Sequence, residues 1–407
     1  MKKPTRKRMA GILLACVWNL SGLLLLNVIA IRAGWWSFHA KGGLFLGIPV
    51  DFYLGWIVLW GMLPELAMPR WRLLEIAGIA FGFDLIFMPL LKPVLQLGPR
   101  WLIGEFAGIV FCLLPSFLFS RWTRDSVRLQ ARTLMQVIAF TALILEIIPA
   151  IVLANTGGDW THFPARPNWI NLCLFQLLAV PSVIGLSAVY EFVQRGRGTP
   201  LPYDPPTQLV GSGPYAYVAN PMQLSAAVLL AGWGLFLGSV WVCAAGVMAH
   251  IYSVGLAAWD EGEDLSARFG STWIEYRKHV RNWMPRWRPW HASKYEGYFP
   301  ARLYVAESCG ACSQVKEWFE QQSAIGLQVI AAELYPGQSL FRITYDPCDG
   351  NAEETGVAAI ARAIEHINFA FAFCGWVMRL PMIRPCLQLL IDASGGHPRS
   401  LLRVIVD

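Results

Sequence analysis

Eight apolar runs occupy residues 10–259 of this chain, at about 10–32, 44–66, 74–97, 102–120, 134–155, 169–192, 222–238 and 240–259. Roughly 20 apolar residues in a helix cross the hydrocarbon of a bilayer. A backbone in hydrocarbon must satisfy its own N–H and C=O groups, and a helix does so. The runs therefore predict a mainly α, polytopic helical membrane protein with about eight spans. Composition agrees: 55% of the 407 residues are hydrophobic and 15% are charged, whereas soluble domains lie nearer 45–50% and about 25%. The last two runs turn near Gly238-Ser239 and are short, which predicts a tight, shallow or tilted hairpin.

The N-terminus, MKKPTRKRM, precedes an apolar run of about 22 residues with no small-x-small cleavage site after it. A signal-peptide core is shorter, about 7–15 residues, so a retained first span is expected. Basic residues favour the cytoplasmic loops. Arg70 and Arg72, then Arg121, Arg124, Arg128 and Arg132, then Arg195 and Arg197 fall on one side of the eight-span arrangement. The other side holds Arg32, Lys41, Arg100 and Arg166. This bias predicts a bacterial-type inner (plasma) membrane protein with both termini cytoplasmic. The lipid bilayer is an expected partner and nucleic acid is not.

Six carboxylates lie within or at the ends of the runs: Asp51, Glu65, Asp84, Glu105, Glu146 and Glu191. Such groups are functional candidates by default, although most are expected to be neutral or hydrogen-bonded inside the bundle. Asp84 lies nearest the middle of its run.

After Trp290 the chain becomes more polar. ARLYVA (301–306) and 327–332 have strand character, 341–345 is a possible third strand, and SQVKEWFEQQ and 355–367 read as helices. The apolar segment 369–391 is broken by Pro381 and Pro385 and carries Arg379 and Arg384. It is expected to form amphipathic helices rather than a ninth span. Of nine cysteines, Cys16, Cys112, Cys173 and Cys243 sit in apolar runs as small hydrophobes, and only Cys309 and Cys312 form a close pair.

The segment 211–289 combines a turn-rich loop, the hairpin, and a charged aromatic stretch on the same expected membrane face. Gly211, Gly213 and Pro214 let backbone amides approach a ligand. Tyr215 and Tyr217 add aromatic faces. Asn220-Pro221 opens a helix whose N-terminus suits a carboxylate. Beyond the hairpin, Asp260, Glu261, Glu263 and Asp264 could accept from ribose hydroxyls or an ammonium, or simply be a solvated helix start. Trp273, Tyr276, Trp283, Trp287 and Trp290 interleave with Arg277, Lys278, Arg281, Arg286 and Arg288, a mixture suited to an interfacial helix on anionic lipid.

This segment resembles the integral-membrane methyltransferases of the isoprenylcysteine carboxyl methyltransferase and phospholipid methyltransferase group. The residues carrying the resemblance are Gly213-Pro214-Tyr215, Asn220-Pro221, Glu261, Leu265, Phe269-Gly270, Tyr276 and Met284-Pro285-Arg286-Trp287. The resemblance implies S-adenosyl-L-methionine (SAM) as cofactor, held by Gly213, Tyr215, Asn220, Pro221, Glu261 and Glu263. It also implies a lipophilic methyl acceptor that enters from the lipid. Ala219, Gln223 and Gly262 stand where the family pattern has Arg, Tyr and Glu.

Cys309-Gly310-Ala311-Cys312 lies between a strand and a helix start, where the helix N-terminus favours a thiolate. Redox catalysis by Cys309 and Cys312, half of a zinc site and a structural role are the alternatives. The surrounding sequence, with ETGVAAIARAIEHINFAF and RLPMIRPCLQLLID, resembles the DCC family of thiol–disulfide oxidoreductases, although Ala306-Glu307-Ser308 replaces that family's Asp-Gly-x. The resemblance implies a C-terminal α/β thioredoxin-like fold and a cytoplasmic thiol partner. The expected organisation is an N-terminal membrane extension of about five spans (1–165), a methyltransferase-like membrane core (166–290) and a cytoplasmic DCC/thioredoxin-like domain (300–407). The expected function is SAM-dependent methylation of a lipophilic acceptor, with a membrane-tethered thiol–disulfide oxidoreductase as the alternative.

Overall fold

The computed structural model describes residues 6–40, 42–158, 160, 166–201, 204–291, 299–308, 310–336 and 340–396; within these, the side chains of 256–261, 311, 395 and 396 are outside the description. The contacts divide the chain into two compact units. One comprises Met1–Asn168, Gly198–Pro205 and Leu230–Ala245, and the other Trp169–Arg197, Pro206–Leu229 and Gly246–Asp407. Residues 300–396 thus share a unit with 169–197 rather than forming one of their own.

The first unit is helical. Its long helices are α1 (Arg6–Arg32), α2 (Val50–Ala67), α3 (Leu73–Leu90), α4 (Trp101–Asp125) and α5 (Leu129–Thr156). Short strands β1 (Trp36–Phe38), β2 (Leu44–Phe45), β3 (Ile48–Pro49) and β4 (Leu95–Leu97) lie in the connections. β1 pairs antiparallel with β4, Trp36 opposite Leu97, and β2 with β3. Several polar residues on the apolar helices are matched internally, as low-dielectric surroundings favour. Asn19 Nδ2 donates to Ser116 Oγ at 3.0 Å and Ser21 Oγ to Glu146 at 2.6 Å. Glu65 is paired with Arg124 and Arg8. The expectation of satisfied intramembrane carboxylates therefore holds at Glu65 and Glu146. Cys112 is buried, in the role of a small hydrophobe.

With α6 (Asn168–Gly196), six helices are long and apolar enough to cross a membrane among the described residues. The expected hairpin forms as α7 (Pro221–Leu237) and α8 (Val240–Tyr252), of 17 and 13 residues, turning at Gly238. Both are shorter than a typical span.

The second unit continues with α9 (Ala258–His279) and a four-stranded sheet. Strands β5 (Ala301–Val305), β6 (Leu327–Ala331), β7 (Thr344–Asp346) and β8 (Glu354–Thr355) lie in the order β6-β5-β7-β8. β5 and β6 run parallel, Leu303 opposite Val329, joined through α10 (Gly310–Gln321). β7 is antiparallel to both neighbours. α11 (Val357–Ile364) packs Ala359 and Ala363 on Leu303, Val305 and Phe319. The apolar segment ends as α12 (Phe369–Arg379) and α13 (Ile383–Ile391), broken between them as Pro381 requires. Asn368 caps α12 by accepting from the amides of Ala370 and Phe371.

His366 makes this α/β part acid-sensitive. Its Nδ1 bonds the Ile325 carbonyl at 2.8 Å and its Nε2 the Tyr345 hydroxyl at 2.9 Å, a network that suits the neutral ring. Burial pushes the imidazole from 6.5 down to about 4. The unfolded chain therefore takes up this proton first, so the stabilisation is complete above pH 6.5 and is lost as pH falls towards 4. A loss of about 2–3 kcal/mol is expected between pH 7 and 4. His366→Gln is expected to flatten the dependence of the melting temperature on pH over that window.

Candidate cofactor site

Two segments far apart in sequence are joined backbone to backbone. The amides of Ala219 and Asn220 donate to the carbonyls of Arg281 and Asn282 at 2.9 and 3.4 Å. In return, Arg286 and Trp290 donate to Tyr217 and Ala216 at 3.0 and 2.8 Å. The Tyr276 hydroxyl donates to the Tyr215 carbonyl at 2.7 Å. Ala219, Leu265, Trp273, Tyr276 and Val280 form the apolar cluster behind this junction. Trp273 and Tyr276 are thus core residues, not the lipid-facing anchors expected from their interleaving with basic residues. α9 also ends at His279, so 280–291 follow an irregular path against the loop.

The junction borders a cleft of about 470 Å³, within the range of small-molecule sites. Asn220 and Asn282 line it from the joined segments, and Gly262, Ser266, Trp273 and Arg277 from α9. Lys278 completes a cationic wall. The Arg277 guanidinium lies 5.6 Å from the centroid of the Trp273 ring and donates to the Val280 carbonyl at 2.5 Å, which fixes its position. Two cations, two amides and an indole suit a ligand with an anionic group and a planar ring. A Cβ placed on Gly262 meets nothing within 4 Å, so the missing second Glu of the acidic pair leaves open space here. Ala219, where the family pattern has Arg, is buried in the apolar cluster.

The expected site residues divide. Asn220 lines the cleft and Pro221 begins α7. Gly213 and Tyr215 are buried and do not line it. Glu263 is exposed on α9. Glu261 lies on α9 with its side chain outside the described residues, and Cys309 is also outside them. Cys312, in the first turn of α10, is partly buried against Phe319 and Tyr304. Ser266, Ile274 and Asn282 were not expected. Gly262 and Ser266 lie one turn apart before the break in α9 at Gly270 (φ +54°, ψ −129°), and Trp273 and Arg277 one turn apart after it; each i, i+4 pair shares a helix face, but only the kink brings the two pairs to one wall.

Gly213 lies against a second feature, a buried charge cluster. Glu191, at the end of α6, accepts from the Ser212 hydroxyl at 2.5 Å and from both terminal nitrogens of Arg362 at 3.0 and 2.7 Å. Arg195 pairs with Glu191 at 2.9 Å. Arg362 Nε also donates to Glu354 at 2.7 Å, and Arg379 to Glu365 at 2.9 Å. Burial pushes the Glu354 carboxyl up, but Arg362 and Arg379 bring it below its usual range. Glu365 stays above that range because burial outweighs the same two cations. Arg379, read as an obstacle to a ninth span, is a member of this cluster.

Gly213 has φ +58°, and a Cβ there would lie 3.1 Å from the Glu191 carboxyl carbon. Only glycine adopts this backbone without cost. Gly213→Ala is expected to lower stability by about 1–2 kcal/mol, read as a fall in melting temperature in detergent.

A family model described as phospholipid methyltransferase matches residues 175–271. That stretch is similar to membrane methyltransferases. It contains most of α6, the glycine loop, the hairpin, and the part of α9 that contributes Gly262 and Ser266 to the cleft. No curated protein and no solved structure matches the chain. The match and the apolar helices support an integral membrane protein with a methyltransferase segment.

Proposed function

We propose that the protein is a SAM-dependent methyltransferase acting on a lipophilic acceptor (isoprenoid, lipid or lipid-linked) at the cytoplasmic membrane face. The observation that carries this reading is the cleft: it lies where the family-matched stretch meets residues 273–282, and its charges and amides suit the cofactor. Asn220, Asn282, Arg277 and Lys278 would hold the carboxylate end, and Trp273 would offer its face to the base. SAM supplies an electrophilic methyl group. The chain's part is to bind and orient: Arg277 is anchored by its bond to Val280, and Asn220 and Asn282 are held in register by their shared backbone bond. A carboxylate or thiolate acceptor needs no base, only close alignment.

Calorimetric titration of the purified full chain in detergent with SAM tests the proposal. Arg277→Ala is expected to weaken binding about ten- to hundredfold, the effect of losing a charge-assisted contact. Absence of heat from the wild-type protein at millimolar SAM would overturn the reading. The alternative of a thiol–disulfide oxidoreductase on a non-catalytic scaffold gains nothing from the family match, which ends before Cys309. The order β6-β5-β7-β8, with Cys312 in the first turn of the helix after β5, supports a thioredoxin-like C-terminal part.

A further inference from the structure

In the first unit, the carboxyl groups of Asp84 on α3 and Glu105 on α4 lie close enough to interact electrostatically. Glu105 is 5% exposed, and its Oε1 has no hydrogen-bond partner among the described residues. Both residues line a cavity of about 280 Å³, and Asp51 at the start of α2 lines it too. No Lys, Arg or His is among the described residues that line it. Among the described residues the other acids of this unit are matched: Glu65 by Arg8 and Arg124, Glu75 by the Arg72 amide, Asp125 by Arg124, Glu146 by Ser21 and Asp204 by Arg132. A carboxyl pair without a counter-charge in apolar surroundings is costly.

The rest of the lining is largely aromatic. Trp36, Phe52, Trp56, Phe83 and Phe87 contribute, and the Phe83 and Phe87 rings stack 4.2 Å apart, one turn from each other on α3. Asn27 also lines the cavity, with its Oδ1 accepting from Trp36 Nε1 at 2.8 Å, so one indole is held in place. A hard metal cation prefers six or more oxygen ligands, whereas aromatic faces beside carboxylates suit an organic ammonium.

We infer that this cavity is a binding site for an organic ammonium ion, an amine or quaternary ammonium on an apolar body. Asp84, Glu105 and Asp51 supply the counter-charge and the aromatic rings enclose the cation. The site is separate from the proposed SAM cleft and does not depend on that reading.

Titration of the full chain in detergent with phenethylammonium and with 2-phenylethanol tests it, since the two probes match in size and differ in charge. The ammonium is expected to bind about tenfold or more tightly than the alcohol. That preference is expected to fall to within about threefold in Glu105→Gln and in Asp84→Asn, each checked for a monodisperse gel-filtration peak. Equal binding of the two probes overturns the inference. So does binding of neither, the behaviour of a pair that exchanges protons alone, and so does a preference that survives both substitutions. If one variant fails to fold, the wild-type comparison and the other variant still decide.

Discussion

Arg362→Met is expected to cost the second unit about 3–5 kcal/mol, enough to unfold much of it at moderate temperature. Arg362 is 3% exposed and, like Arg379, pairs with Glu191, Glu354 and Glu365, but it makes the shorter contacts to Glu191 and Glu354, both at 2.7 Å. Methionine preserves much of the volume but leaves three carboxylates around Arg379 and Arg195. The penalty comes chiefly from stranding buried charge, not from the net worth of the ion pairs. Thermal unfolding in detergent, with limited proteolysis of the C-terminal part, measures it. Adding Glu191→Gln to Arg362→Met is expected to recover part of the loss, because one stranded charge is removed. An unchanged melting temperature in Arg362→Met would show that the cluster is not energetically coupled to the fold.

Trp376→Ala is expected to cost about 3–5 kcal/mol as well, by opening a cavity. Trp376 is 1% exposed and meets Tyr217, Phe369 and Phe373 edge-on at 5.8, 5.7 and 6.4 Å. Tyr217 is the centre of the glycine loop: its carbonyl accepts from Arg286 and its hydroxyl donates to the Glu365 carbonyl at 2.8 Å. Loosening it frees the joined segments that border the cleft. SAM affinity is therefore expected to fall in Trp376→Ala although Trp376 does not line the cleft, and Trp376→Phe is expected to lose less of both. A variant that melts earlier yet binds SAM with unchanged affinity would separate the C-terminal helices from the site.

These two expectations rest on features that were only partly legible in the sequence. The strands at 301–305 and 327–331, the helix after Cys309 and the break near Pro381 follow local rules of alternation, capping and proline. So does the hairpin turn, where Gly238 has φ +72°. Long-range pairings obey no such local rule. Glu191 meets Ser212 from 21 residues away and Arg362 from 171, and nothing in their spacing marks them as partners. Trp273 and Tyr276 were misread for a related reason. A Trp–Arg alternation reads the same whether the rings face lipid or protein, and only the return of Ala219 and Leu265 to the same place puts them in a core.

The apolar runs by themselves determined that the first half of this chain is dominated by helices apolar and long enough to cross a membrane, because a backbone in hydrocarbon has few alternatives. The glycine, proline and asparagine positions of the loop determined where α7 starts and where the chain can turn tightly. Which polar residues share a cleft was decided only by tertiary structure. Gly213 and Tyr215 went to the support behind it, and Ser266, Arg277 and Asn282 to its wall. The kink of α9 at Gly270 and a backbone junction distribute those roles, and the junction depends on contacts between residues that the sequence keeps far apart.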